Sequence, residues 1–295
     1  MHTDSRVAHI ILDFDGTCTQ IPPIFEAYLD LYRKGLNEAG LSVTPSEWRD
    51  AQAIVRRHSS KAGWTVAECP SAPAAGDPYV LADEAARLIL RRRCAKTPVP
   101  PVHAQAYEAA RAPWRDEARD TFSRLGEHGV QLHFVSNSSS TFITQRLRDL
   151  FGDNSPVAAK ISVQSDAGKF RICELNWDNK AAVSDEARRR FQALPVAYGE
   201  NPPETERPVY LRRGAYFEAI NRVLDSDFDA LTNTVFCGDT WEMDLAMPYA
   251  LGAKVHLLDR AAPFETYAYE RQALAGYGDR GKTSADLCGL LDWLD

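Results

Sequence analysis

The sequence lacks the features that would place a protein in a membrane or outside the cell. No run of residues approaches the roughly 18 apolar residues that a membrane-spanning helix requires. Residues 1–6 carry no apolar stretch of the kind that secretory signals contain. The six cysteines are scattered without a C-x-x-C pair, which argues against both a disulfide framework and a zinc site. We therefore expect reduced thiols in a cytoplasmic protein that does not contact a membrane.

The chain also lacks an excess of basic residues. It has 295 residues and a formal net charge of -7 at pH 7, so no overall attraction to nucleic acid or anionic lipid is expected. Any phosphate must be bound by a local site. Hydrophobic residues make up 44% of the chain and charged residues 25%, which is ordinary for a globular protein. The length allows two domains, or one domain with a large insertion.

Four short apolar runs predict buried parallel strands, because they are rich in β-branched and long apolar side chains. The runs are residues 7–12, 130–135, 234–237 and 254–258. Helical periodicity follows most of them, which predicts a doubly wound, mainly parallel, Rossmann-like α/β sheet. In such sheets ligands bind at the carboxyl ends of the strands.

Residues 20–117 predict a helical insertion after the first strand. Helical periodicity covers residues 24–39, 47–61, 80–94 and 105–125. We therefore divide the chain into an α/β core, residues 1–19 and 118–295, and a helical cap, residues 20–117. The insertion is either a packing appendage or a lid that excludes water and selects substrate. The lid is favoured, because the insertion leaves the sheet just beyond Asp15.

Residues 153–211 give a weaker pattern. The predictions for this stretch are a hairpin of residues 159–163 and 169–175, a helix over 186–194 and a loop over 194–208. Near the C-terminus, residues 276–283 match the pattern of a phosphate-binding loop. That pattern requires a preceding strand, whereas residues 264–275 predict a helix, so we interpret it as a solvated loop.

The first chemical motif is Asp13-Phe14-Asp15-Gly16-Thr17, directly after the first strand. Two carboxylates at one strand end repel each other when both are ionised, unless a cation lies between them. Mg²⁺ prefers oxygen ligands and leaves room for a substrate phosphate. One carboxylate can then attack phosphorus while the other transfers protons. The alternative is an Asp-Gly turn without chemistry, and the apolar strand before the motif makes it the weaker reading.

Polar residues also follow two other predicted strands. Ser136 and Asn137 come after the second strand, where a hydroxyl and main-chain N–H groups can bind a phosphoryl oxygen. Asp239 ends the third strand, and Asp244 lies at the opening of the next helix. Because the carboxyl ends of parallel strands share an edge, we expect Asp239 to face the same crevice as Asp13.

Taken in order, these three motifs resemble the haloacid dehalogenase (HAD) superfamily. The resemblance implies that Asp13 is a nucleophile that forms an aspartyl-phosphate. Asp15 would protonate the leaving group and then activate water. A Mg²⁺ ion would be held by Asp13, the main-chain carbonyl of Asp15, and Asp239, while Ser136 would hold a phosphoryl oxygen. Family members that cleave carbon–halogen bonds lack an acid at the Asp15 position, so its presence favours phosphoryl chemistry.

Further residues are expected to complete this site. The predicted phosphate-binding residues are Gly16, Thr17, Ser136, Asn137 and Arg213, and the predicted supporting residues are Asp244 and Arg212. The resemblance also implies a lysine a short distance before the last motif, but that window contains arginines and no lysine.

We assign the role of this lysine to Arg213, with Arg212 in support, because arginine keeps the positive charge although its fork geometry differs. Lys160, Lys169 and Lys180 lie too far upstream for the family's spacing, unless a long loop returns one of them.

The sequence thus favours a Mg²⁺-dependent phosphatase that acts on a small phosphorylated metabolite and binds no nucleic acid. A phosphotransferase or mutase with the same nucleophile remains open. A catalytically silent binding protein also remains open, because the expected lysine is replaced by arginine.

Overall fold

A computed structural model of the chain describes residues 6–66, 68–95, 97–176, 183–199, 205–225 and 227–294. Its strands and helices are, in chain order, β1 (His9–Leu12), α1 (Phe25–Glu38), α2 (Pro45–Ala62), β2 (Thr65–Val66), β3 (Cys69–Pro70), α3 (Pro78–Arg92), α4 (His103–Ala110), α5 (Ala118–Glu127), β4 (Gln131–Val135), α6 (Ser140–Phe151), β5 (Ser162–Gln164), α7 (Asp185–Ala193), α8 (Gly214–Val223), β6 (Thr234–Gly238), α9 (Ala246–Ala250), β7 (Lys254–Leu258), α10 (Ala268–Ala275) and β8 (Gly281–Ser284). None of the described helices is long and apolar enough to cross a lipid bilayer.

The main sheet is parallel, with β1 near its centre. Within the described residues, six strands pair in the order β5-β4-β1-β6-β7-β8. Leu12 at the end of β1 is level with Phe134 of β4 and with Cys237 of β6. The residues that follow these three strands therefore emerge at one edge of the sheet. The predicted doubly wound α/β fold is confirmed.

Helices cover both faces of this sheet. Ile10 and Leu12 of β1 pack on one face with Phe122 of α5 and Ile143 of α6. Ile11 packs on the other face, in the core that contains α7 and α8. Successive side chains of a strand point to opposite faces, so consecutive apolar residues fill two separate cores. This is why β1 is a continuous apolar run rather than an alternating one.

The helical insertion, residues 20–117, supplies most of one hydrophobic cluster, to which Phe264 of the α/β core also belongs. Tyr28, Tyr32 and Leu36 are spaced by one helical turn along α1, which buries them on one face. They belong to the same cluster as Trp48 of α2 and Leu81 of α3. The helices of the insertion therefore pack mainly against one another and not against the sheet. The division of the chain at residues 19/20 and 117/118 stays a prediction.

The single helix predicted over residues 105–125 is in fact two helices. Arg111 after α4 has a left-handed backbone, with φ 32°, and Pro113 cannot continue a helix. Trp114 then pairs with Thr19 in an isolated antiparallel bridge, so the two connections to the insertion run side by side. α5 packs on the sheet instead of on the insertion. A short antiparallel ribbon, β2 with β3, lies where no strand was predicted.

Residues 153–211 also differ from the prediction. β5 pairs in parallel with β4, and residues 169–175 form no strand with it, so the predicted hairpin is wrong. The predicted helix over 186–194 is confirmed as α7, whereas the predicted loop over 194–208 lies partly outside the described residues. The predicted loop near the C-terminus contains β8, an edge strand of the main sheet. A helix and not a strand precedes it, so it is not a phosphate-binding loop.

Candidate active site

Asp13 and Gly16 set the backbone of the first motif. The N–H of Asp13 donates to the carbonyl of Cys237 in β6 (2.9 Å), which extends the sheet pairing by one residue and fixes where the carboxylate leaves the strand. Gly16 turns the chain with a left-handed φ of 77°. A Cβ at this position would lie 2.4 Å from Asp239 Oδ2. Glycine therefore permits both the turn and the close approach of Asp239.

Lys169 lies between two acids at this edge of the sheet. Its Nζ donates to Asp13 Oδ1 (2.7 Å) and to Asp244 Oδ1 (2.9 Å), and the residue is 1% exposed. Burial opposes the charged ammonium, but Asp13 and Asp244 raise the pKa of Lys169 above its ordinary value. Burial raises the pKa of Asp13 to about 7, and Lys169 opposes that shift. Lys169 thus supplies a fixed positive charge beside Asp13.

Both main-chain groups of Lys169 are held by side chains. Its N–H donates to Asn137 Oδ1 (2.9 Å), and Arg213 Nη1 donates to its carbonyl (2.6 Å). Its ammonium lies 5.3 Å from the centroid of the Tyr216 ring. Because a buried lysine needs a fixed geometry to reach its partners, these contacts position the charge opposite Asp13.

Asp244 is folded back toward the end of β6. The N–H of Thr240 donates to Asp244 Oδ2 (3.0 Å), and the Tyr216 hydroxyl donates to the Asp244 carbonyl (2.9 Å). The π-helical turn Trp241–Leu245 widens the start of the helix here. A Cβ on Gly238 would lie 2.2 Å from Asp244 Cβ, so glycine is needed at the strand end.

Asp13, Asp239 and Asp244 form an oxygen cluster that could hold a metal ion. One carboxylate oxygen from each lies within 4.8 Å of the other two. Asp239 is 5% exposed, and no donor in the described part of the chain hydrogen-bonds to its carboxylate. Burial raises the pKa of Asp239 well above its ordinary value; Arg260 opposes this, and Asp244 and Asp13 add to it. When ionised, these three acids carry more negative charge than Lys169 offsets, and an all-oxygen donor set suits Mg²⁺.

The carboxylate of Asp15 is held by donors from both parts of the molecule. The Tyr107 hydroxyl, on α4 of the insertion, lies 2.7 Å from Oδ1 and 3.0 Å from Oδ2. The Ser138 hydroxyl of the core donates to Oδ2 (2.5 Å). Burial raises the pKa of Asp15, and the hydrogen bonds from Ser138 and Tyr107 oppose that rise. Its side chain is therefore outside the oxygen cluster, and a metal contact through its main-chain carbonyl stays a prediction.

Ser136 and Asn137 lie where the sequence predicts, at the end of β4, and both line the same cavity as Asp13. The Ser136 hydroxyl accepts from the N–H of Ser138 (3.2 Å), so its own hydrogen is free to point at a ligand. Gly16 and Thr17 do not line this cavity. The Thr17 hydroxyl is buried and has no hydrogen-bond partner among the described residues, so phosphate binding by Gly16 and Thr17 stays a prediction.

Arg213 does not occupy the position predicted for it. Its guanidinium is fully buried and donates to main-chain carbonyls of Lys169 and Ser71, both at 2.6 Å, and not to Asp13. Arg212 is also away from the site, since it donates to Glu174 (3.0 Å) and to main-chain carbonyls of the α7 region. Both assignments are corrected: the cation beside Asp13 is Lys169, and Arg213 supports it from behind.

Lys169 lies further from the last motif in sequence than the family's spacing implies, because a segment is inserted after it. α7 and the segments around it are inserted between Lys169 and α8, which lengthens the sequence without moving the lysine away from the sheet. Lys160 ends a short 3-10 helix and has no contact with the acids, and Lys180 lies outside the described residues. One sequence signal could have identified Lys169. It follows Gly168 shortly after β5, and β5 lies next to β4 in the sheet, so the lysine emerges at the same edge as Asp13.

A cavity of about 610 Å³ lies between the carboxyl edge of the sheet and the helical insertion. We call its two sides the core half and the insertion half. The core half includes Asp13, Asp15, Ser136, Asn137, Asp166, Phe142, Phe170 and Asp239. The insertion half includes Tyr32, Trp64, Asp77, Tyr79, Asp83, Arg87, His103, Tyr107 and Glu108. The strand-end acids thus face a cavity of small-molecule size.

Solved structures share this fold. A predicted phosphoglycolate phosphatase from Haemophilus somnus matches with a TM-score of 0.52 at 12% identity, over 99% of this chain and 100% of that chain. A HAD phosphatase from Thermococcus onnurineus gives a TM-score of 0.45 at 13% identity, over 97% of both chains. An L-2-haloacid dehalogenase gives 0.42 at 16% identity, over 98% of this chain and 99% of that chain. No protein-family model and no curated protein matches the chain. The match at a TM-score of 0.52 shows a shared fold, and membership of the HAD superfamily stays a prediction.

Proposed function

We propose that this chain is a Mg²⁺-dependent phosphomonoesterase of the HAD superfamily that forms an aspartyl-phosphate on Asp13. The observation that carries the proposal is the contact of Lys169 Nζ with Asp13 Oδ1 at 2.7 Å, beside the oxygen cluster that includes Asp239. A carboxylate nucleophile, a fixed cation and an all-oxygen metal site are the groups that phosphoryl transfer on an aspartate requires.

The proposed reaction has two steps. In the first, a carboxylate oxygen of Asp13 bonds to phosphorus, the bond to the ester oxygen breaks, and Asp15 gives its proton to that oxygen. In the second, Asp15 takes a proton from water, the water oxygen bonds to phosphorus, and the bond to Asp13 breaks to release phosphate. Asp15 acts as acid and then as base, and ends the cycle protonated as it began.

Ser136 and Lys169 are proposed to hold the phosphoryl oxygens during both steps. Asp13 and Asp239 would bind Mg²⁺, and Asp244, the third member of the oxygen cluster, would orient Lys169 or complete the metal shell. Bound Mg²⁺ would supply positive charge against the phosphoryl oxygens and the clustered carboxylates. Most of the catalysis would then come from positioning and charge stabilisation.

The helical insertion is proposed to be a lid over this site. Its Tyr107 reaches the carboxylate of Asp15, and its helices supply one side of the cavity. Such a cover excludes water from the first step and limits substrates to small molecules. A small phosphorylated metabolite in the cytoplasm remains the expected substrate.

Phosphoryl chemistry is preferred to carbon–halogen cleavage because of Asp15. A proton donor two residues after the nucleophile has a task when an alkoxide leaves phosphorus, and none when a halide leaves carbon. A phosphotransferase remains the second candidate, since only the acceptor in the second step differs. The catalytically silent alternative was based on the missing lysine of the family's pattern. Lys169 supplies this cation, so that reason no longer supports the alternative.

The test is turnover of 4-nitrophenyl phosphate and of a 2-chloro carboxylic acid, each with Mg²⁺ and with EDTA. We expect Mg²⁺-dependent phosphate release from the first and no chloride release from the second. Asp13→Asn should lose this activity, while the control Asp153→Asn, which removes an exposed acid outside the cavity, should keep it. Equal phosphate release by Asp13→Asn and the parent would exclude the proposed nucleophile.

A further inference from the structure

The insertion half of the cavity carries a charge pattern that the proposed chemistry does not need. Its acids are Asp77, Asp83 and Glu108, and Asp166 adds another from the core side. None of them belongs to the oxygen cluster at the strand ends. The part of the substrate that extends away from the phosphate must therefore enter a strongly acidic space.

The positive charge on this side is already neutralised. Among the described residues that line the cavity, Arg87 is the only arginine or lysine. Its Nε lies 2.6 Å from Asp83 Oδ2 and 3.7 Å from Glu84 Oε1. Burial lowers the pKa of His103, so its ring is neutral at neutral pH. A second anionic group on the substrate would find no unpaired cation there.

Aromatic rings fill much of the remaining wall. The Tyr79 and Tyr107 ring centroids are 5.3 Å apart, and those of Tyr107 and Phe142 are 4.8 Å apart. Trp64 and Phe170 form a second pair at 5.3 Å. The faces of such rings attract cations, and the attraction grows when the site is shielded from water.

Asp77 is the acid best placed to complete a cation site. It is the N-cap of α3, and its Oδ1 accepts from the N–H of Val80 (2.8 Å), which fixes the side chain. No lysine or arginine in the described ranges forms an ion pair with it. Burial raises the pKa of Asp77 to about 6, and Asp15 adds to that rise. The charge of Arg260 opposes this rise in the pKa without an ion pair to Asp77, so no cation contacts this carboxylate among the described residues.

We propose, resting on the proposed phosphatase function, that the substrate is a small phosphomonoester whose alcohol carries an ammonium group. Asp77 binds the ammonium by charge, and the rings of Tyr79 and Tyr107, which line the same cavity, lie beside it. The opposite class, phosphomonoesters that carry a carboxylate, is rejected by the acids of the insertion half.

The experiment compares three phosphomonoesters of similar size and different charge: 2-aminoethyl phosphate, 2-hydroxyethyl phosphate and carboxymethyl phosphate. The parent enzyme with Mg²⁺ is expected to show kcat/KM highest for the amine and lowest for the carboxylate, with at least a tenfold step between the amine and the neutral compound. Turnover of the carboxymethyl compound equal to or better than that of the aminoethyl compound would overturn the inference.

Asp77→Asn is the informative variant, because asparagine also caps helices and keeps the fold of α3. We expect the ratio of kcat/KM for the amine to that for the neutral compound to fall close to one. Tyr79→Leu should lower the same ratio, and Tyr79→Phe, which keeps the ring, should not. Asp153→Asn serves as the control and should leave the ratio unchanged. A parent-like ratio in Asp77→Asn would remove Asp77 from the proposal.

Failure of this inference can be told apart from failure of the proposed function. If 4-nitrophenyl phosphate is hydrolysed and 2-aminoethyl phosphate is not, the phosphatase stands and the ammonium specificity is wrong. If neither is hydrolysed by a folded parent protein with Mg²⁺, both proposals fall. A selective response to the amine that disappears in Asp77→Asn supports both.

Discussion

The two halves of the cavity are built on different principles. In the core half, Asp13, Ser136 and Asp239 each follow a strand of the same parallel sheet, so the backbone pairing sets their relative positions. In the insertion half, residues such as Asp77 and Tyr107 sit on helices that pack in a separate core. The core half is therefore suited to chemistry that requires fixed distances. Apart from Tyr107, which contacts Asp15, the insertion half can vary in sequence without disturbing that chemistry, which suits the selection of substrate.

The largest effect is expected for Lys169→Gln, which removes the fixed positive charge of the core half. Activity on 4-nitrophenyl phosphate should fall about 10³-fold, because a buried charge at the reacting group is lost. Without metal, the free energy of unfolding should also fall by about 3 kcal/mol, because Asp13 and Asp244 lose their buried partner.

The matched control is Arg212→Gln, which lies outside the cavity and should keep parent activity. Steady-state kinetics and urea unfolding measure both effects. Parent activity in Lys169→Gln together with loss of activity in Arg212→Gln would show that Lys169 is not the catalytic cation.

A smaller effect is expected for Asp239→Asn, which keeps the shape of the core half and removes one charged metal ligand. The Mg²⁺ concentration for half-maximal activity should rise at least about tenfold. The rise in melting temperature that Mg²⁺ gives the parent should shrink in the variant, because binding to the folded state stabilises it in proportion to affinity. An unchanged Mg²⁺ response in both measurements would place the metal away from Asp239.

Tyr107→Phe tests whether the insertion half contributes to catalysis as well as to substrate selection. Tyr107 belongs to the insertion, and its hydroxyl donates to the carboxylate of Asp15 in the core half. Loss of one hydrogen bond to the carboxylate should lower kcat about tenfold with little change in KM, since the ring and its packing remain.

A positioning role of Tyr107 has a signature that a structural role lacks. The loss should be larger for an alkyl phosphate, whose leaving oxygen needs a proton, than for 4-nitrophenyl phosphate, whose leaving group does not. Equal losses on both substrates would show that Tyr107 does not act through Asp15.

The contrast also explains which parts of the site could be predicted from sequence. Asp13, Ser136 and Asp239 could be placed together because parallel strand ends share an edge, whatever the loops between them do. Lys169 could not be assigned by its distance along the chain, because α7 and its flanking segments lengthen the chain without moving the lysine. Arg213 has the correct charge, but it pairs with Cys173 in an isolated parallel bridge, and its guanidinium donates to the Lys169 carbonyl from behind.

The insertion half was not predictable from local patterns. Asp77 precedes Pro78, so its sequence signal is that of a helix N-cap, a role that it does fill. Tyr107 lies in α4, where an aromatic side chain is typical of a core residue. The helical pattern therefore gives no sign of its contact with Asp15. Their function depends on how the helices of the insertion face the sheet, and this depends on packing between parts of the chain that are far apart in sequence.

The smallest expected effect separates the stability of the insertion from catalysis in the core. Thr44 caps α2 by accepting from the N–H of Glu47 (3.2 Å), and it is not among the residues that line the cavity. Thr44→Ala should lower the free energy of unfolding by about 1 kcal/mol, because one N–H at the helix start loses its partner. Activity on 4-nitrophenyl phosphate at a temperature well below unfolding should be unchanged. If this substitution instead lowered kcat as much as Tyr107→Phe does, the insertion would affect the chemistry through its overall rigidity, and the separation into a catalytic half and a selective half would be too simple.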